Sequence, residues 1–396
     1  MKEEHKKHGH EHEHEHEHEH ERAFHGRGEP PHHKEKPGEP PRHDKHHHGG
    51  HPDHRGRSRK DAKRGDDLLK VENLSVYYTA GKKVVRAVNN VSFEIKRGEA
   101  LALVGESGCG KSTIAKALLR ILPDRGAGIS SGKILFEGED LVTLPEKEMQ
   151  SIRGGEISMV FQDPMTALNP VKRILTQISG VIRLHHPGMS KHMAEERAIK
   201  MLESVGITRD RVRDYPHQFS GGHQQRVVVA IGLSCDPSLL LADEPTTALD
   251  VTIQAQVLEM MTWLIRETNT AMLLITHHLG IVAETCDYVA VLYGGEIVEY
   301  GSKREVFKNP SHPYTIGLFG ALPDMQSDGN RLKPIEGIMP EPSDLPAGCK
   351  FHTRCPYATE QCMDGPVPVV ELGGTHKCQC HNLDAVRAAQ KKEAAV

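Results

Sequence analysis

Residues Gly105 to Thr113 read GESGCGKST, which matches the spacing G-x-x-x-x-G-K-[ST] without deviation. Glycine at Gly105, Gly108 and Gly110 lets the backbone come close to an anion. Amide N–H groups in such a turn point at phosphate oxygens. Lys111 is placed to reach the β- and γ-phosphates of ATP, and the Ser112 hydroxyl to sit on Mg²⁺. Ser107 and Thr113 belong to the same nucleotide-binding set. A second run, Leu239-Leu-Leu-Ala-Asp243-Glu244, ends in two carboxylates. An acid at a strand tip beside a phosphate loop holds the metal, which assigns Asp243 to Mg²⁺. The next acid faces the attacking water and can accept its proton, which assigns Glu244 as general base. Without the phosphate loop, the same run would read as a strand ending in solvated acids.

This chemistry needs strands to aim the loops. Ala100 to Val104 is a short apolar run that reads as a buried strand, and Ser112 to Leu122 follows as a helix. The helix N-terminus then adds its dipole to the phosphate site. Leu68 to Tyr78 and Lys83 to Glu94 read as an antiparallel pair turning at Ala80-Gly81. Gln162 to about Ser234 is helical in pattern. Parallel-strand runs return at Leu239 and at Met272 to Thr276, and Val289 to Tyr300 reads as a hairpin with a Gly-Gly turn. Beyond about Leu322 the text is rich in Pro and Gly with little internal periodicity.

The segment Phe219 to Arg226, FSGGHQQR, lies just upstream of the acid-tipped strand, and Ile275 to His278 reads ITHH. With the phosphate loop, these segments closely resemble the nucleotide-binding subunit of ABC transporters. The resemblance makes SGGHQQR the signature loop, with His223 in place of the usual Gln. It makes Gln162 the Q-loop residue near the metal and Thr247-Ala-Leu-Asp250 the D-loop. It makes His277 the switch histidine, followed by His278 where an acid is common. Two such subunits pack head to tail, so Ser220, Gly221 and Gly222 are expected to contact ATP bound by the partner. Their place at a helix start is a physical reason for anion binding. An adenine-stacking tyrosine is expected, Tyr78 rather than Tyr77.

Asn309-Pro-Ser-His-Pro-Tyr314 and the later cysteine-bearing segments resemble the tail of ATPase subunits from dipeptide, oligopeptide and nickel importers. The resemblance runs from about Leu68 to about Leu383. Of eight cysteines, Cys109 and Cys235 read as small packing residues. An ATP-fed chain works inside the cell, where disulfides are disfavoured. Cys349, Cys355, Cys362 and Cys380 form a four-thiolate set in a segment with few apolar residues, of the kind that takes a metal as its core. Such a set suits zinc or an iron–sulfur cluster. The resemblance implies [4Fe–4S] and picks Cys380 over Cys378.

Residues 1–65 hold 17 of the 28 histidines and almost no aliphatic side chains. A segment so poor in apolar surface is expected to be disordered. Within it His12, His14, His16, His18 and His20 alternate with glutamates, a chemistry that takes Ni²⁺ or Zn²⁺. This tail tilts the expected substrate from peptide toward nickel, while the cysteine-bearing extension favours peptide. A low-complexity expansion without a role is the alternative for the tail.

The 396 residues carry a net charge of −4 and 4 % aromatics, which gives no argument for a nucleic-acid surface. No apolar stretch of about 18 residues or more is present to span a bilayer. The expected fold is α/β: a P-loop ABC-type domain at 66–321 with a helical subdomain at about 163–235. It is preceded by the disordered tail 1–65 and followed by an extension at 322–385 and a tail at 386–396. The expected function is ATP hydrolysis driving import of di- and oligopeptides, or alternatively of nickel. The resemblance implies two membrane permeases, a second related ATPase subunit and an extracytoplasmic substrate-binding protein. It places the chain peripherally on the cytoplasmic face of the membrane. Two rival classes are an ABC-type ATPase acting on ribosomes or DNA and a metal-handling protein.

Overall fold

The computed structural model describes residues 63–81, 83–247, 249–321 and 335–393. The His-rich tail, with His12 to His20, lies outside the described residues.

The chain opens with two long antiparallel strands, β1 (Asp67–Ala80) and β2 (Lys83–Lys96), then β3 (Ala100–Val104) and α1 (Lys111–Leu118). Next come β4 (Ala127–Phe136), β5 (Glu139–Asp140), α2 (Glu146–Ile152) and β6 (Ile157–Val160). The helical stretch holds α3 (Pro164–Ala167), α4 (Ile174–His185), α5 (Lys191–Ser204) and α6 (Gly221–Leu233). Then follow β7 (Leu239–Asp243), α7 (Val251–Thr268), β8 (Ala271–Ile275), α8 (Leu279–Thr285), β9 (Tyr288–Tyr293) and β10 (Glu296–Ser302). The last elements are α9 (Lys303–Lys308), α10 (Pro313–Gly320), β11 (Val369–Gly373), β12 (His376–Gln379) and α11 (Leu383–Glu393).

Two sheets result. An antiparallel sheet has the order β2-β1-β4-β5, and the main sheet runs β11-β12-β10-β9-β3-β8-β7-β6. From β9 to β6 the neighbours are parallel. Every residue of β3, β7 and β8 is buried. Alternation then sends opposite faces into different cores. Ala102, Val104, Leu240, Ala242 and Leu274 pack with the helices α4 to α6. Leu101, Leu103, Leu241, Leu273 and Ile275 pack with α1 and the antiparallel sheet. A sheet clamped on both faces has one free rim for a ligand, the carboxyl ends of its parallel strands.

The extension departs from its aperiodic reading. Residues Val369–Gly373 and His376–Gln379 form an antiparallel hairpin, and β12 pairs with β10 at Glu299–Cys378 and Tyr300–Lys377. The hairpin therefore covers an edge of the main sheet. Helix α11 runs through the boundary drawn at 385/386 and buries Val386 completely. The reason for the difference is length. Strands of four and five residues carry too little pattern to stand out, and they are held by the edge they join.

Candidate active site

The carboxyl ends of β3, β7 and β8 converge on one cavity of about 170 Å³. Val104, Gly105, Glu106, Ser107 and Lys111 line it from the β3 side. Glu244 lines it after β7, His277 and Leu279 after β8, and Leu318 from α10. Gly105, Gly108 and Gly110 all have positive φ, at 151°, 82° and 110°. At Gly110 a Cβ would stand 2.4 Å from the Ala87 carbonyl, so both conformation and space demand glycine.

Lys111 is buried at the mouth of α1, and its Nζ donates to the carbonyls of Gly105 at 2.8 Å and Glu106 at 3.0 Å. The Ser112 hydroxyl donates to Asp243 Oδ1 at 2.8 Å. Burial pushes the Asp243 carboxyl upward, and the neighbouring Glu244 adds to this while the Ser112 bond opposes it. A hydroxyl and a carboxylate this close are hard oxygen donors of the kind that suit Mg²⁺.

Glu244 has a left-handed backbone, φ 46°, which is unusual for a non-glycine residue. Its N–H still donates to the Ile275 carbonyl at 2.9 Å, which locks the turn to β8. One carboxylate oxygen accepts from Gln162 Nε2 at 3.2 Å and Thr247 Oγ1 at 3.0 Å. The other lies 3.5 Å from His277 Nδ1. His277 and His278 lie ring to ring with centroids 4.2 Å apart, but only His277 lines the cavity. His278 stands at the N-cap position of α8 without a side-chain cap bond, and burial, then the charge of His277, lowers its pKa.

Tyr77 and Tyr78 separate by face. Tyr77 lies over Gly128, whereas the Tyr78 hydroxyl is 3.4 Å from Thr113 Oγ1, beside the phosphate loop. Ser220, Gly221 and Gly222 open α6 and do not line the cavity. The Ser220 hydroxyl makes a 2.8 Å hydrogen bond with His223 Nδ1. Buried Gln224 anchors the loop through the carbonyls of Pro216 and Phe219. Asp250 caps α7, its carboxylate accepting the Ile253 N–H at 3.0 Å.

The cysteine set lies in the extension. The thiols of Cys349 and Cys355 are pushed up to about 11, first by burial and then by the neighbouring thiols, Cys362 and Cys380 in both cases. The Phe351 and Tyr357 N–H groups donate to Cys349 and Cys355. Asn382 donates its N–H to Cys380 and its amide to Cys362, both at 3.4 Å. Sulfurs held in a ring of N–H donors suit thiolate ligation. Among the described residues, however, no three His, Cys, Asp or Glu side chains form a group that could hold a metal ion. Cys378 is fully buried, with the charge of Glu299 acting on it.

Sequence reasoning passed over Glu106, Arg354, Tyr314 and Leu318. Arg354 Nη1 contacts both Glu106 oxygens, at 3.1 and 3.0 Å. The Glu106 N–H donates to the Tyr314 hydroxyl at 2.9 Å. Glu106 sits inside the phosphate-loop motif and Tyr314 inside NPSHPY, and their partners lie far away in sequence.

Residues 88–247 match the ABC transporter family, and residues 298–362 match the oligopeptide/dipeptide transporter C-terminal region. The dipeptide transport ATP-binding protein DppD of Bacillus subtilis is 45 % identical over 333 residues, covering 84 % of this chain and 98 % of its own. The oligopeptide transport ATP-binding protein OppD of Salmonella typhimurium is 48 % identical over 301 residues, covering 76 % of this chain and 89 % of its own. A dimeric ATP-binding cassette solved in a post-hydrolysis state with ADP and phosphate superposes with a TM-score of 0.54 at 27 % identity, covering 60 % of this chain and 99 % of that one. Among the described residues no helix is long and apolar enough to cross a membrane. The chain belongs to the ATP-binding subunits of ABC transporters, ATPases whose hydrolysis is coupled to transport.

Proposed function

We propose that this chain powers the import of di- and oligopeptides. It works at the cytoplasmic face of the membrane with a second ATPase subunit, two permeases and an extracytoplasmic binding protein. The observation that carries the peptide reading is the extension: it matches the C-terminal region of oligopeptide and dipeptide transporters. The relatives it resembles are named for peptide transport.

In this reading Tyr78 stacks on adenine and the loop from Gly105 to Thr113 wraps the phosphates. Lys111 exchanges its bonds to the Gly105 and Glu106 carbonyls for phosphate oxygens. Ser112, Asp243 and Gln162 hold Mg²⁺, which offsets charge on the phosphates when bound. Glu244 accepts the proton of the attacking water, held in place by Gln162 and Thr247. His277 steadies the γ-phosphate from the other side of Glu244. Ser220, Gly221 and Gly222 present the start of α6 to ATP held by the partner subunit, and Asp250 stiffens the adjoining D-loop. Cys349, Cys355, Cys362 and Cys380 would hold a thiolate-ligated centre, a [4Fe–4S] cluster, with zinc as the alternative. The N–H donors from Asn382 to Cys380 and Cys362 support this part.

The test is reconstitution of the full transporter with its binding protein. Short peptides are expected to stimulate ATP hydrolysis. Stimulation by a nickel complex and not by peptides would overturn the peptide reading.

A further inference from the structure

Glu106 lines the cavity that the phosphate loop frames, and its side chain is 30 % exposed. Its backbone N–H donates to the Tyr314 hydroxyl at 2.9 Å, a bond that remains when Lys111 turns to phosphate. An unpaired acid there would repel the substrate. At a few ångströms, and with the screening usual near a protein surface, such repulsion weakens binding by about tenfold or more.

The countercharge comes from the other end of the sequence. Arg354 precedes Cys355 in the extension, and its side chain is 5 % exposed. Nη1 meets both Glu106 oxygens and the Tyr293 hydroxyl at 3.2 Å. Nε and Nη2 donate to the carbonyls of Glu336 at 2.9 Å and Ile335 at 3.4 Å. Phe351 packs edge-on against Tyr293 with centroids 5.1 Å apart, which fixes the segment that carries Arg354. The guanidinium is thus held by the extension and the sheet before it reaches Glu106. A fork fixed in advance loses little freedom on pairing.

We infer that Arg354 is a positioning residue for the ATPase site. It reaches from the C-terminal extension to neutralise Glu106 and fix the entrance of the phosphate loop, so that the extension completes the nucleotide site. Arg354 acts through Glu106, and its effect falls on ATP binding more than on the chemical step.

The test uses the full-length chain, with MgATP affinity from a fluorescent-nucleotide titration and KM and kcat from steady-state hydrolysis. R354Q is expected to raise both Kd and KM about tenfold while kcat changes less. Adding E106Q to R354Q should restore affinity to within about threefold of wild type, because the repelling charge is gone. Raising ionic strength should shrink the R354Q defect. Wild-type affinity in R354Q overturns the inference. So does a double variant as weak as R354Q, since that outcome assigns Arg354 to packing alone. Should R354Q fail to fold, E106Q by itself decides. With the negative charge of Glu106 gone and Arg354 still held by Tyr293, Ile335 and Glu336, E106Q should bind MgATP more tightly, and unchanged or weaker binding overturns the inference.

Discussion

His312 makes stability and the nucleotide site sensitive to acid. Its ring caps α10, Nδ1 accepting the Tyr314 N–H at 3.1 Å. An accepting Nδ1 carries no proton, so the cap requires the neutral ring. Protonation would set a donor against a donor, at the positive end of a helix. The residue is buried, and burial pushes its pKa down to about 4, against the pull of the Glu299 carboxylate. In the unfolded chain the ring takes its proton near the ordinary value of about 6.5. Between those two values the unfolded chain binds more protons than the folded one. Stability therefore falls as pH drops from about 6.5 to about 4 and loses nothing further from this residue below that. The gap is worth about 3 kcal/mol. Urea unfolding of wild type and H312N at a series of pH values isolates it, because asparagine can cap through an oxygen that stays neutral. At neutral pH H312N should be less stable by about 1–2 kcal/mol for the lost ring packing. Across the acid window wild type should lose about 3 kcal/mol more than the variant. Parallel curves for the two proteins would refute the argument. ATP affinity should weaken in the same window, because Tyr314 holds the Glu106 N–H and Leu318 of the same helix lines the cavity.

Two further outcomes bear on the chemistry. E244Q should still bind MgATP but turn it over about 10²- to 10⁴-fold more slowly, as expected for loss of a general base, and wild-type turnover would remove Glu244 from that role. Anaerobically purified chain should carry iron or zinc, and Cys355→Ser should lower that content while Cys378→Ser leaves it intact. Wild-type protein with neither metal would discard the thiolate centre.

The phosphate loop, the acid-tipped strand and the hairpin of β9 and β10 were legible because each is local. Glycine spacing, an unbroken apolar run and a Gly-Gly turn carry their own physical reasons. The choice between Tyr77 and Tyr78 was legible only as a preference. Its physical basis is strand register, which sets Tyr77 over Gly128 and turns Tyr78 toward Thr113. The pairing of Arg354 with Glu106 spans 248 positions and has no local signature. NPSHPY marked a relationship in the sequence, and the fold supplies its reasons. Ser311 and His312 give backbone N–H groups to Glu299 at 2.8 Å, His312 caps α10, and Tyr314 reaches the phosphate loop.

Glu299 ties the extension to the ATPase core. This carboxylate is 1 % exposed, and an isolated charge at that depth would be costly. It accepts from Ser311 N–H, His312 N–H and, at 2.7 Å, His376 Nε2. Two of these donors belong to the segment leading into α10, and the third lies on β12 of the extension. The same residue pairs through its backbone with Cys378, which closes the sheet edge. A buried pair is weak evidence for added stability, but removing one member leaves a stranded charge. The hairpin therefore cannot leave β10 without exposing that charge, and α10 cannot shift without losing two of its donors. Since α10 supports Glu106 from one side and Arg354 supports it from the other, the geometry of the phosphate loop depends on residues that lie beyond the ATPase core in sequence.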